Sequence, residues 1–306
     1  MNKNKTTRAF KLLCVFLCTV MLFCAAIPPQ ASAASSASNY ENAVLFWVNV
    51  ERSRHGLSKV KTTDALCNAS GVRAKELYSS FSHTRPNGSK WTTALSAEGV
   101  NYKSAAENIA SGYTSPCSVV KAWMESSGHR SNMLNSKYSY LGVGLYYTES
   151  GKKYYWDQLF TGGVSYSNTY GTYNVAPKGL SVDKSSVKLS VGGTTTVTGT
   201  PSPVYATSEV TCTSSNSNVV KVTGTEVNVI TVKGVSDGTA KLTVKCGSYS
   251  KTISVTVGTG TGSSSGSGSS TPSNPTIEDK PGSALSDFIE RILSFFCSVV
   301  PYDIFI

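Results

Sequence analysis

Three histidines occur in the 306 residues, and two of them fall in short motifs on either side of a carboxylate. Glu107 lies in AENIA, His83 upstream of it in FSHTRPNG, and His129 downstream in SGHRSN. Imidazole titrates near neutral pH and binds divalent metals through its neutral ring nitrogens. Two histidines with one or two carboxylates therefore suit a metal ion or acid–base work. Two imidazoles and Glu107 would fill three positions of a tetrahedral zinc and leave one for water. Such an open site polarises a carbonyl or generates hydroxide. The same residues without metal make a His–Glu acid–base pair. A structural reading stands beside these: Glu107 braces loops, and the imidazoles hydrogen-bond within a cleft. No serine or cysteine stands in a recognisable nucleophile setting, which weighs toward binding rather than catalysis. His55, beside the RHGL turn, reads as a helix-end residue facing its own carbonyls.

The elements that must carry these residues follow from periodicity. Asn39 to Arg54 predicts a helix with one apolar face, ended by Gly56. A second helix runs from Thr63, which caps it, to Ser80, with Ala65, Leu66, Ala69, Val72, Ala74 and Leu77 on its buried side. His83 follows that helix and precedes the Pro86-Asn87-Gly88 turn, where a side chain projects into a cleft. Trp91 to Glu98 predicts a short helix, and Ser115 to Ser126 an amphipathic one with Pro116 at its first position. Gly128 to Leu134 is a further helical turn carrying His129. Tyr140 to Tyr147 and Lys153 to Phe160 alternate as the strands of a hairpin. Helices and strands in one unit give an α+β sandwich. Tyr138, Tyr140, Tyr146, Tyr147, Tyr154, Tyr155 and Trp156 crowd the hairpin. Alternation sends about half of them to the core, and the rest are free to stack on sugars or hold a lipid.

Six segments in order, VNVERSRHGL, FSHTRPNG, AENIA, VKAWMESSGHRSNML, LGVGLYY and YYWDQLF, resemble the bacterial branch of the CAP superfamily (cysteine-rich secretory proteins, antigen 5, pathogenesis-related proteins). The resemblance implies an α–β–α sandwich with a central cleft, placed here at residues 39–163. It also implies that His83, Glu107 and His129 line that cleft. Many members add a second glutamate three residues after the helix tryptophan. This chain has Ser126 there and Glu125 one residue earlier, about 100° away around the helix. Ser126 is thus expected in the cleft, and Glu125 is the weakest member of the set.

The rest of the chain places this unit outside a cell. Residues 1–33 read as a secretory signal peptide: a basic start, the apolar run Leu12 to Ile27, and Ala31-Ser32-Ala33 as cleavage site. Its removal takes four basic residues and lowers the net charge from +10 to +6. That excess suits anionic walls, membrane surfaces or host surfaces, and nothing in the chain points to nucleic acid. Residues 178–257 hold short Val/Thr/Ser strands between Gly-Gly, Asp-Gly and Ser-Asn turns, an all-β sandwich. SVDKSSVKLSVGGTTTVTGT, CTSSNSNVVKV and VKGVSDGTAKLTVK resemble the bacterial group 2 immunoglobulin-like domain, which implies a spacer or adhesive module. Residues 258–282 are a flexible Gly/Ser/Thr/Pro linker, and residues 283–306 an amphipathic helix suited to dock on a membrane surface or a protein. Two cysteines per domain, Cys67 with Cys117 and Cys212 with Cys246, suggest two intradomain disulfides, with free buried thiols as the alternative. Cys297 is left over.

The expectation is therefore an exported CAP-domain protein whose cleft takes a small ligand, lipid or peptide. No cofactor is required, and a divalent metal such as zinc is optional. A metal-assisted hydrolase using His83, Glu107 and His129 is the alternative, and a purely structural adhesin the third reading.

Overall fold

The structure is a computed structural model that describes residues 36–258. The signal peptide, nearly all of the linker, Cys297 and the C-terminal helix expected at 283–306 lie outside the described residues. Helices α1 (Ser36–Arg54), α2 (Asp64–Ser79) and α3 (Thr92–Ala97) precede strand β1 (Ser104–Ser111). Helices α4 (Pro116–Glu125) and α5 (Ser127–Met133) follow, then β2 (Tyr140–Thr148) and β3 (Lys153–Gly162). The Thr63 hydroxyl accepts the Leu66 amide at the start of α2, and Ser115 closes a capping box ahead of Pro116 in α4. The strands form one antiparallel sheet in the order β1-β3-β2, so β1 has a free edge.

Side-chain alternation gives this sheet two apolar faces. Ala106, Ala110, Leu141, Val143, Trp156 and Phe160 meet α1 and α4 through Val44, Trp47, Val48, Val119, Val120 and Trp123. Leu159 on the opposite face meets Leu66 and Ala69 of α2 and Ala94 and Leu95 of α3. Helices on both sides of one sheet make the expected α–β–α sandwich. The glycines of LGVG let α2 lie directly on β2. A Cβ at Gly142 would come 2.3 Å from the Leu66 carbonyl oxygen, and one at Gly144 would come 2.1 Å from that of Ser70. Val72 is 41 % exposed, whereas Ser70 and Arg73 are buried among the α2 residues that face inward.

The second half is all β. β4 (Gly179–Val182), β5 (Ser186–Leu189), β6 (Thr194–Ser202), β7 (Val210–Ser214), β8 (Val220–Glu226), β9 (Val229–Gly234), β10 (Gly238–Cys246) and β11 (Tyr249–Val257) form two four-stranded sheets. Their orders are β5-β11-β10-β7 and β4-β6-β9-β8, with β5 parallel to β11. Val197, Val210, Ile230, Leu242, Val244 and Ile253 are fully buried among them. One apolar cluster runs from the helical half into these strands. The tip of the β8–β9 hairpin is part of the join: Val227 is fully buried, and its N–H donates to Glu51 Oε1 at 2.6 Å. Arg54 donates to the Val227 carbonyl at 3.3 Å and to Glu51 at 2.5 Å.

The disulfide expectation is corrected: Cys67, Cys117, Cys212 and Cys246 are all free thiols. Cys67 on α2 lies 3.8 Å from the Tyr170 hydroxyl, while Cys117 is buried in the cluster on the other face of the sheet. In the strands, Cys212 pairs with Val244 and Cys246 with Val210, so the two cysteines are diagonal neighbours. Diagonal Cα atoms are about 7–8 Å apart, beyond the usual span of a disulfide. Burial, with Cys246 adding to it, pushes the Cys117 thiol up to about 12, and burial pushes Cys212 to about 11. Among the described residues, no helix is long and apolar enough to cross a membrane.

Candidate functional site

The free edge of β1 is where the two faces of the sheet become accessible together, and the motif residues gather there. Glu107 points to the α2 side, with its side chain wholly enclosed. Its Oε1 accepts from Arg73 Nε at 2.7 Å and its Oε2 from His83 Nδ1 at 2.6 Å. A carboxylate acceptor fixes the His83 proton on Nδ1, so Nε2 carries the lone pair in the neutral ring. The His83 side chain is 43 % exposed. Arg73 is in turn held at its other two nitrogens: Nη1 donates to Glu76 at 2.7 Å and Nη2 to the Ser82 carbonyl at 2.8 Å. The second bond ties the segment just before His83 to α2. Arg85 closes the chain on Glu76 at 2.6 Å. Burial would raise the Glu76 carboxyl, but Arg85 and Arg73 outweigh it and hold it below the usual range.

His129 reaches the same edge from the opposite face. Asn108, the asparagine of AENIA, donates to the His129 carbonyl at 3.2 Å and to Gln158 at 3.0 Å. Asn132 donates to Asn108 at 2.9 Å, so α5 is pinned at two points one turn apart. Burial first, and the nearby His83 second, lower His129 to about 4. The ring is neutral at physiological pH, with a lone pair free to accept a hydrogen bond or meet a cation. This depressed value lowers stability in acid: the unfolded chain takes up a proton below about pH 6.5 while the folded one does not. The expected loss is about 3 kcal/mol between pH 6.5 and 4. Nitrogen-15 histidine spectra should show His129 unprotonated at pH 5, and His129→Gln should flatten the acid limb of the stability curve.

A third carboxyl stands behind the site. Asp157 of β3 is fully buried on the Glu107 face, beside the Glu107 carboxylate and the Ser70 hydroxyl. Burial and then the Glu107 charge raise it well above the carboxylate range, with Arg73 opposing. A raised carboxyl stabilises the fold in acid and loses that contribution as pH rises through its folded value. Asp157→Asn, which mimics the protonated form, should raise stability at pH 7 relative to pH 4. Urea titrations at the two pH values measure this directly.

His83, Glu107 and His129 are thus brought together. Glu125 is not: it is exposed and pairs with Lys121 one turn back. Ser126 is half-buried at the α4–α5 junction, where its carbonyl accepts the Arg130 amide at 2.8 Å. His55 donates from Nδ1 to the Glu51 carbonyl at 2.8 Å, as expected of a helix end. Arg73, Asp157 and Asn108 were not foreseen as parts of the site. Their only signal was a polar residue inside an otherwise apolar stripe or strand.

The donor chemistry bears on a metal. Among the described residues, no group of three or more His, Cys, Asp or Glu side chains is placed to hold one. Both Glu107 oxygens already accept hydrogen bonds, from Arg73 and His83. Two imidazole nitrogens remain.

Residues 45–160 match the CAP family, described as the cysteine-rich secretory protein family. The chain is 38 % identical over 133 residues to the uncharacterized protein YkwD of Bacillus subtilis (strain 168), covering 43 % of this chain and 50 % of that one. It is 32 % identical over 115 residues to the uncharacterized membrane protein YlbC of the same organism, covering 36 % and 33 %. The chain therefore spans half the length of the first relative and a third of the second. An extracellular protein containing an SCP domain from Bacillus anthracis str. Ames is similar in structure, with 25 % identity, a TM-score of 0.38, and coverage of 44 % of this chain and 45 % of that one. The chain carries a CAP domain.

Proposed function

We propose that this CAP domain is an extracellular binding module whose cleft takes a small polar ligand or peptide at the free edge of β1. The observation that carries this reading is the Arg73–Glu107–His83 chain. It spends a buried ion pair on holding one half-exposed imidazole, with Nε2 left to a ligand. A neutral His129 offers a second contact from across the edge. The all-β half acts as the spacer or adhesive module, in keeping with its likeness to bacterial immunoglobulin-like repeats. Reversible capture of a divalent cation by the two imidazoles is an accessory property.

A second reading has its own support: a carboxylate-fixed imidazole is the form a general base takes, so hydrolysis by activated water is the alternative. One experiment separates these. Histidine-labelled protein is titrated with zinc chloride, a short peptide pool and palmitate. In parallel it is assayed on fluorogenic peptides and nitrophenyl esters, with and without chelator. Binding predicts shifts of the His83 and His129 signals, lost in His83→Ala, with no turnover. Turnover abolished in the His83→Ala, His129→Ala double variant would establish the hydrolase, and silent histidine signals throughout would sink both.

A further inference from the structure

The sheet face that carries Glu107 also carries an aromatic cluster that the site does not use. Tyr155 of β3 pairs with Tyr146 of β2 and with Ser111 of β1. Tyr78, near the C-terminal end of α2, stands over both rings, with centroids at 5.7 Å from Tyr146 and 5.9 Å from Tyr155. Tyr78 is 51 % exposed, and Phe81, between Tyr78 and His83 in the chain, is 53 % exposed. The Lys153 ammonium sits 5.4 Å from the Tyr155 ring centroid, held there by the ring quadrupole. Lys75, also exposed, precedes Tyr78 by three residues and so shares its side of α2. Ser111 and Glu107 are four residues apart on β1, which spans roughly 13 Å at 3.3 Å per residue. That is about the reach of a disaccharide.

We propose that Tyr78, Tyr146, Tyr155, Lys153 and Lys75 form a subsite for a carboxylate-bearing glycan strand running on from the cleft. The rings are tilted at 46° and 74° rather than coplanar. They thus offer separate apolar faces with hydroxyls between them, which matches a sugar's alternation of C–H faces and hydroxyl groups. A lipid surface would require a continuous apolar face. The two ammonium groups select an acidic sugar over a neutral one. The inference rests on the cleft reading only for its continuity, and the test keeps the two apart.

The probes are peptide-free glycan strands of alternating N-acetylglucosamine and N-acetylmuramic acid, chitin oligomers of equal length, and vesicles of equimolar phosphatidylcholine and phosphatidylglycerol. Full-length secreted protein should bind the muramic strands more tightly than chitin. Tyr78→Ala, at an exposed position, should weaken binding about tenfold, and Lys153→Gln should erase the preference for muramic acid. Circular dichroism melts of both variants establish that they remain folded. If strands bind and His83→Ala leaves that binding intact, the subsite stands and the cleft reading falls. The subsite itself is overturned if no strand binds, if Tyr78→Ala binds like the parent, or if only the vesicles show tyrosine-dependent binding.

Discussion

Arg73→Met should cost about 3–5 kcal/mol of stability, because it strands a buried carboxylate. The Glu107 side chain is wholly enclosed and so is that of Arg73, whose three nitrogens all have partners. Methionine fills a similar volume but donates nothing. Glu107 would then lose its guanidinium partner, with the fully buried Asp157 still at its side. The Ser82 carbonyl would also lose its donor, and the segment leading to His83 its tether. Adding Glu107→Gln to Arg73→Met should recover more than half of the loss, since the cost comes from an unpaired charge rather than from missing volume. Urea unfolding of the two single variants and the double variant tests this. If the two losses simply add, the ion pair is not what holds the site.

Glu51→Ala should be the second most damaging change, at about 2–4 kcal/mol, although it lies far in sequence from the residue it serves. Glu51 is 1 % exposed, and its Oε1 receives both Arg54 and the Val227 amide. Val227 has φ of +52°, a left-handed conformation that a β-branched residue adopts only at a cost of about 1–3 kcal/mol. That conformation persists because Glu51 holds its N–H, Arg54 holds its C=O, and the side chain is buried. Removing Glu51 leaves a buried amide without an acceptor. By contrast, Glu226→Gln should change stability by less than about 1 kcal/mol, because the Arg130–Glu226 pair is more than a third exposed at both ends. Chemical denaturation of both variants should show this contrast. Equal losses would mean that the join between the two halves is spread over its surface charges, not centred on Val227.

The two halves of the site differ in how legible they were. His83, Glu107 and His129 stand out because the chain has only three histidines and each of these residues sits in a short motif that resembles the CAP family. Arg73 was invisible as a site residue, since an arginine within a helix reads as solvated until its neighbours are known. Its position is nonetheless on the inward stripe of α2 with Ser70 and Leu77. The AENIA segment became an edge strand without a Val/Ile-rich run to announce it, because pairing with β3 supplies what its own propensity lacks. The cysteines misled for a related reason: a count per domain records neither that Cys67 and Cys117 lie on different sides of a sheet nor that Cys212 and Cys246 are diagonal rather than facing.

Only a family resemblance pointed to His83, Glu107 and His129 as lining one cleft; sequence by itself determined the helices, the hairpin and the all-β second half. Those follow from local periodicity, capping and turn chemistry, which act over a few residues. Tertiary structure alone decided what those residues are free to do. Packing α2 on Gly142 and Gly144 brings Arg73 onto Glu107, commits both carboxylate oxygens, and leaves one imidazole nitrogen facing out. That commitment depends on contacts across 34 residues of chain, and no local pattern records them.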